Sequence, residues 1–317
     1  RSFTLGWQKH HMQRYPMNLA VVIPSFETPS EILRRCLESI LNQVGAESLE
    51  IIVVESSLNK LPEELLEFQD RVRFFLPKRR MLAGEARNFG AAQTDKEFLA
   101  FLDADCLWHP NWLQVAKDLL DRHPNGLAFN GQILFEDLNQ NWALALHIME
   151  FHEFLATKSF HQRFLPSGNL LIRSSFFKSI GGFQMDWPAC QDIGFLKSFQ
   201  NSPEIRAEIR FEPKLSITHT SHLTDKDQIK QKAHFMGYWR GFYDAELPEE
   251  FQISRRKSFT LLKPVLGLMF FALIFVRSLK LKSCYLARSL AQPTRLLALT
   301  TIWAKGFREG FKQRKIN

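Results

Sequence analysis

Cysteine is scarce and scattered. Cys36, Cys106, Cys190 and Cys284 lie far apart in 317 residues, and no two form a CxxC pair. That spacing excludes a zinc knuckle or a disulfide framework and fits a reducing compartment. Long apolar runs are missing too. Pro264–Val276 is uncharged and apolar, but its 13 residues fall short of the roughly 20 that a membrane span needs. The first 16 residues are basic, contain His and carry no signal-peptide pattern. The expectation is that the natural chain starts at Met17, with Arg1–Pro16 as upstream sequence or an unstructured arm. Internal repeats, low-complexity linkers and recognisable nucleic-acid-binding motifs are absent, so nucleic acid is not an expected partner.

What is present suits a large globular domain with an appendage: 45% apolar residues, 23% charged residues and 29 Phe. Charge is segregated. Arg255–Asn317 holds 14 Lys and Arg against one acid, Glu309, a net of +13, while the remainder nets −5. Lys263 and Arg277 bracket Pro264–Val276, and a second apolar run, Leu296–Ala304, follows. Apolar stretches framed by basic residues suit helices lying in the headgroup region of an anionic leaflet. The competing expectation is a helix pair packed on the core. The expected layout is an α/β domain over 17–222, a connecting helical segment over 223–257 and basic amphipathic helices over 258–317.

Leu19–Ile23, Ile51–Val54, Val72–Leu76 and Phe98–Leu102 are short apolar runs, the pattern of buried parallel strands. Glu31–Val44 and Gly84–Thr94 suit helices between them, and Glu63–Asp70 a short one. This alternation indicates a doubly wound, mostly parallel sheet. Downstream, strands are expected at Leu127–Phe135, Leu170–Ile172 and Arg210–Ile217. Helices are expected at Pro110–Arg122, Trp142–Phe160, Ser174–Ile180, Gln191–Phe199 and Gln228–Tyr243.

The run Phe98–Leu102 stops at Asp103-Ala104-Asp105. Carboxylates at the carboxyl end of a buried strand sit where open α/β sheets bind ligands. At period 2 the two point to one side and can share a hard divalent ion such as Mg²⁺. Pro24-Ser25 and Glu55 end the first two strands at the same edge. Arg87 offers a planar fork for phosphate or uracil oxygens. Gly84 lets backbone approach a ligand closely. Asn88 is either a ligand contact or a packing amide.

The series VVIPSF, IIVVES, GEARNFGA, FLDADC, LPSGNLLIR, GGF and QD runs in order over Leu19–His219. It resembles the inverting family 2 glycosyltransferases of GT-A fold, of the membrane-associated bacterial type. The resemblance implies transfer of a sugar from a nucleotide-diphosphate donor, expected to be UDP-linked, to an acceptor hydroxyl on a saccharide or lipid-linked saccharide. It implies Mg²⁺ or Mn²⁺, with Asp105 as direct metal ligand and Asp103 on ribose or metal-bound water. The metal would offset charge on the leaving diphosphate. Pro24, Ser25, Glu55 and Arg87 would line the nucleotide, although the family usually has Asp at the Glu55 position. Asp192, in PACQDIGFL, matches the carboxylate base. The common pattern there is Glu-Asp. With Gln191 in the first place, Asp192 should have a lower pKa than in an acidic pair. Gly168 and Asn169 would form the donor-sugar or acceptor wall, Asn169 being equally readable as a turn residue. His219 would ligate metal or reach the diphosphate, with His222 a weaker second candidate.

The segment HFMGYWRG resembles the basic-aromatic helix that precedes the membrane region in related enzymes, but it lacks the QxxRW motif of processive synthases. Addition of a single sugar is therefore expected, at the cytoplasmic face of the plasma membrane and in cell-envelope polysaccharide synthesis. His147, His152 and His161 read as core or surface residues. A nucleotidyltransferase is a rival, but PSFETPSE after the first strand has none of the Gly, Lys or Arg it would use. A non-catalytic membrane adaptor is another, but Asp103, Asp105 and Asp192 are all retained.

Overall fold

The computed structural model describes residues 17–57, 60–158, 160–161, 165–195, 208–221, 223–247, 249, 252–253, 265–278 and 292–316. The expectations for Arg1–Pro16, His222, Cys284 and the side chain of His161 lie outside the described residues.

The chain opens as alternating strands and helices: β1 (Leu19–Ser25), α1 (Ser30–Leu41), β2 (Glu50–Glu55), β3 (Val72–Phe75), α2 (Ala83–Ala91) and β4 (Phe98–Leu102). β3, β2, β1 and β4 lie side by side and parallel. β4 is buried along its whole length, as a strand covered on both faces must be. Glu63–Phe68 is a 3₁₀ turn.

Beyond β4 come β5 (Cys106–Trp108), α3 (Trp112–Arg122), β6 (Ala128–Asn130), β7 (Ile133–Phe135), α4 (Asn141–Phe151) and β8 (Phe160–His161). Next are β9 (Asn169–Arg173), α5 (Ser174–Ser179), α6 (Gln191–Gly194), β10 (Ile209–Phe211) and β11 (Ile217–His219). β9 runs antiparallel between β4 and β6, and β10 and β8 complete an eight-stranded sheet.

Two expected single strands are each broken in two. Leu127–Phe135 becomes β6 and β7, and Arg210–Ile217 becomes β10 and β11. The second member of each pair leaves the main sheet and joins β5 in a small one, ordered β5-β11-β7. Gly131 is the pivot: a side chain there would collide with the Leu215 carbonyl of the neighbouring crossing. The expected helix Trp142–Phe160 also stops early, turning 3₁₀ at His152–Leu155.

Among the described residues three C-terminal helices follow: α7 (Lys226–Phe242), α8 (Leu266–Ser278) and α9 (Pro293–Ile316). Residues of α4, α7, α8 and α9 share one core, including Leu144, Ile148, Ile229, Ala233, Ile274 and Leu299. The connecting helix and the tail are thus one packed unit seated on α4. Glycines let α7 and α9 approach to backbone contact. Gly237 and Gly241 face the Trp303 and Phe307 carbonyls, while Gly306 and Gly310 face those of His234 and Tyr238. Among the described residues no helix is long and apolar enough to cross a membrane.

Candidate active site

β4 ends at Leu102, and Asp103-Ala104-Asp105 is a turn, closed by Cys106 N–H donating to the Asp103 carbonyl at 2.9 Å. The strand alternation expected to aim both carboxylates to one side therefore does not extend to them. They face different partners. Asp103 Oδ1 accepts from Arg87 Nη2 at 2.5 Å, and Asp105 Oδ2 lies 3.3 Å from His219 Nε2.

Arg87, on α2, is 4% exposed and stands over the Phe183 ring at 5.4 Å. Its Nε and Nη1 are buried and have no partner among the described residues. Orphaned donors of this kind are costly unless a ligand supplies oxygens. On the other side of Asp103, a Cβ at Gly168 would stand 2.7 Å from Oδ2, so only glycine fits there. Asn169 is fully buried. Its Oδ1 accepts from Trp112 Nε1 at 3.1 Å, and its Nδ2 donates to the Gln132 and Leu215 carbonyls at 3.3 and 2.8 Å. The amide thus braces the start of β9 from within the core, next to Gly168.

His219 is set by register: β11 pairs it with Cys106 of β5 on one side and Phe135 of β7 on the other. Thr220 anchors the strand end, its N–H and hydroxyl both donating to the Asp105 carbonyl, at 2.8 and 2.9 Å. Behind His219, the His147 ring stacks at 5.6 Å. His147 is buried and donates from Nε2 to the Ile133 carbonyl at 3.0 Å, and burial holds its pKa well below the ordinary value. Burial alone would lower the His219 pKa as well, but the Asp105 carboxylate overrides it and the net shift is upward. His152 is also a core residue, bonded to the Met149 carbonyl.

Asp105 and His219 fit a divalent cation. Two ligands at right angles round an octahedral ion of this class stand about 3 Å apart, and Oδ2 and Nε2 are separated by 3.3 Å. Among the described residues, no three His, Cys, Asp or Glu side chains form a metal cluster by themselves. Remaining ligands would come from phosphate oxygens and water, as is usual for such ions.

Asp192 is the second residue of α6, which Gln191 opens directly after Cys190, and Cys190 holds a left-handed φ of +64° that is strained for a residue other than glycine. The segment is pinned to α2. Asn88 Nδ2 donates to the Phe183 carbonyl at 2.8 Å and its Oδ1 accepts from Phe183 N–H at 2.9 Å, so Asn88 is a packing amide. Gly84, expected to admit a ligand, instead admits the Gln184 carbonyl. Gln191 is buried and donates from Nε2 to the Trp187 carbonyl at 2.6 Å, a bond an ionised acid in its place could not donate. Burial pushes the Asp192 pKa up to about 6, Arg87 pulling against it and Asp103 adding to it. Those two influences place Asp192 in the field of the Arg87–Asp103 pair.

At the far end of the edge, Ser25 and Glu55 are paired in register. Glu55 is 1% exposed and accepts from the Ser25 hydroxyl and from the Ser57 N–H at 2.7 Å and hydroxyl. Pro24 sits half-buried opposite Val54. A concavity of about 620 Å³ opens elsewhere, beside His109 and Gln132, and contains none of the predicted carboxylates.

The model of glycosyl transferase family 2 matches residues 20–181. The chain belongs to that family. An uncharacterized family relative in Methanocaldococcus jannaschii, named as a glycosyltransferase, is 25% identical over 168 residues, covering 51% of this chain and 58% of the relative. The chain thus spans little more than half the length of that curated relative. Among solved structures, the mannosyltransferase PcManGT of Pyrobaculum calidifontis, in complex with GDP-Man and Mn²⁺, aligns with a TM-score of 0.59 at 16% identity. The alignment covers 93% of this chain and 88% of that one. Residues 1–349 of S. aureus TarS with UDP-GlcNAc align with a TM-score of 0.52 at 15% identity, covering 95% and 92%. These likenesses establish the GT-A fold for this family 2 member.

One group was not foreseen from the sequence. Lys232, on α7, stands 3.8 Å from Glu150 Oε2 on α4. Nothing local in the sequence marks it, because it reaches this place only through the docking of α7.

Proposed function

We propose that the chain transfers a sugar from a nucleotide-diphosphate donor, UDP-linked by expectation, to an acceptor hydroxyl with inversion. The observation that carries this reading is the buried Arg87 fork. It has two donors unpaired, the Asp103 carboxylate on its third nitrogen and Asp192 within its field. That is a cradle for an anionic leaving group beside a carboxylate suited to taking a proton. The two similar structures that carry GDP-Man with Mn²⁺ and UDP-GlcNAc support a nucleotide-sugar donor and a divalent metal.

In this reading Arg87 donates to phosphate oxygens, and Asp103 orients Arg87 while facing ribose or metal-bound water. Asp105 and His219 hold Mg²⁺ or Mn²⁺, which when bound neutralises charge on the leaving diphosphate. Asp192 accepts the acceptor hydroxyl's proton as the oxygen attacks the anomeric carbon from the face opposite the diphosphate. A base with a pKa near 6 is ionised at neutral pH and still basic enough to draw a proton in the transition state. Ser25 and Glu55 form the nucleotide end.

The acceptor is a saccharide, lipid-linked if the protein works at a leaflet. Support for a membrane position comes from α8, which exposes Leu268, Met269, Leu273 and Val276, and from the net +13 of the tail. The proposed position is the cytoplasmic face of the plasma membrane.

The test is turnover of a panel of UDP- and GDP-sugars with Mn²⁺, followed by NMR of the product anomer. Asp192→Asn should lower kcat at least 10²-fold while leaving donor affinity within about threefold. Equal turnover by that variant would remove Asp192 as base.

A further inference from the structure

α7 packs on the base segment near its C-terminal end and on α4 nearer its N-terminal end. Its C-terminal end covers the base segment, where Tyr243 stacks on Trp187 at 3.8 Å between ring centroids and Cys190, Ile193 and Trp239 pack in the same cluster. Three turns back toward its N-terminus is Lys232. Eleven residues of helix separate Lys232 from Tyr243, about 16 Å at 1.5 Å per residue.

Lys232 stands next to the wall behind His219. Its neighbour Glu150 lies one helical turn beyond His147 on α4, and His147 is the ring stacked on His219, whose Nε2 meets Asp105. The Glu150 side chain is 6% exposed, and its Oε1 is buried with no partner among the described residues. At 3.8 Å from Oε2 the Lys232 ammonium is in ion-pair range but beyond hydrogen-bond length. Its side chain remains 37% exposed.

We propose that Lys232 is a donor-binding residue, its ammonium pairing with diphosphate oxygens. This rests on the transferase reading above and adds to it that the C-terminal helical unit completes the donor site. Asp105 and Asp103 are both felt by the ammonium, after Glu150, and help to keep it charged. Two cations, Arg87 from α2 and Lys232 from α7, would then flank the phosphates together with the metal. Lysine contributes as a point charge rather than as a fork.

The test compares UDP with UMP by titration calorimetry in Mn²⁺, using the full chain. Lys232→Met should weaken UDP at least tenfold and UMP less than twofold, because only the former carries the second phosphate. Lys232→Arg should recover most of the loss. Glu150→Gln separates this from a structural role. If the pair only braces α7 on α4, Glu150→Gln will mimic Lys232→Met. If Lys232 binds phosphate, Glu150→Gln will leave UDP affinity unchanged or tighter. Undiminished UDP binding by Lys232→Met, with wild type binding normally, would overturn the proposal and leave the transferase reading intact. Failure of wild type to bind UDP, GDP or their sugars would overturn both.

Discussion

Asp192 is the residue at which stability and function oppose each other. Its folded-state pKa of about 6 lies above the usual 3.8. Between those values the folded chain binds more protons than the unfolded one. This group's contribution to stability is therefore full below pH 4, falls as pH rises toward 6 and stays lost above it. Asp192→Asn removes the buried charge. At pH 7.5 it should stabilise the protein by on the order of 1–3 kcal/mol, from 1.36 kcal/mol per pKa unit, read as a higher Tm. At pH 4 the gain should vanish. A variant that is more stable yet inactive would mark a residue kept for chemistry. Arg87 supplies the opposing pull on the same carboxyl, so Arg87→Met should move the acidic limb of the kcat/KM profile upward from about pH 6. An unmoved limb in that variant would mean that Arg87 and the base act independently.

Elements differ in how openly the sequence declares them. β1 to β4 were legible because strands covered on both faces must be apolar throughout, and chemistry gathers where such runs stop. Asp103 and Asp105 were singled out that way, whereas Asp192 was singled out only by the resemblance. The split of Leu127–Phe135 was not legible, because the reason for it is the contact of Gly131 with Leu215, a residue far along the chain. The role of Gly84 was misjudged for a like reason: the close approach it permits is to Gln184 and not to a ligand. Lys232 was hidden because α7 is positioned by interleaved glycines, Gly237 and Gly241 against Gly306 and Gly310, whose value is reciprocal. A side chain at Gly241 would drive into the Phe307 carbonyl. Gly241→Leu should therefore cost at least 1–3 kcal/mol, about the range for overpacking. It should also weaken UDP binding by displacing α7, although Gly241 is not itself in the cleft. Thermal melts and the same calorimetric titration would reveal both effects. A loss of stability with unaltered UDP affinity would show that the C-terminal unit and the donor site are uncoupled.

For the whole molecule, the tail raises a question that composition alone left open: core helices or membrane helices. Core packing holds for one face of α8, and membrane contact is the proposal for the other. Ile274 and Leu266 of α8 are buried, the former in the core shared with α4, whereas Leu268, Met269, Leu273 and Val276 are 42–60% exposed on the same helix. A 13-residue helix, apolar on its outer side and attached to a chain segment of net +13, suits the boundary between headgroups and acyl chains. The consequence is a binding reaction with two separable parts. Wild type should cosediment with vesicles of phosphatidylglycerol and phosphatidylcholine, and weakly with phosphatidylcholine alone. Raising salt from 0.1 to 0.5 M should weaken the anionic binding by shortening the Debye length. The double variant Leu268→Glu, Leu273→Glu should lower partitioning at least tenfold, through lost apolar contact and added repulsion. Its turnover of a soluble acceptor should be unchanged, because neither residue lines the cleft. Equal cosedimentation of the variant and wild type would remove α8 as the membrane face. Binding that ignored lipid charge would remove the basic tail's part in it, and the leaflet would then have no means of selecting this protein by electrostatics.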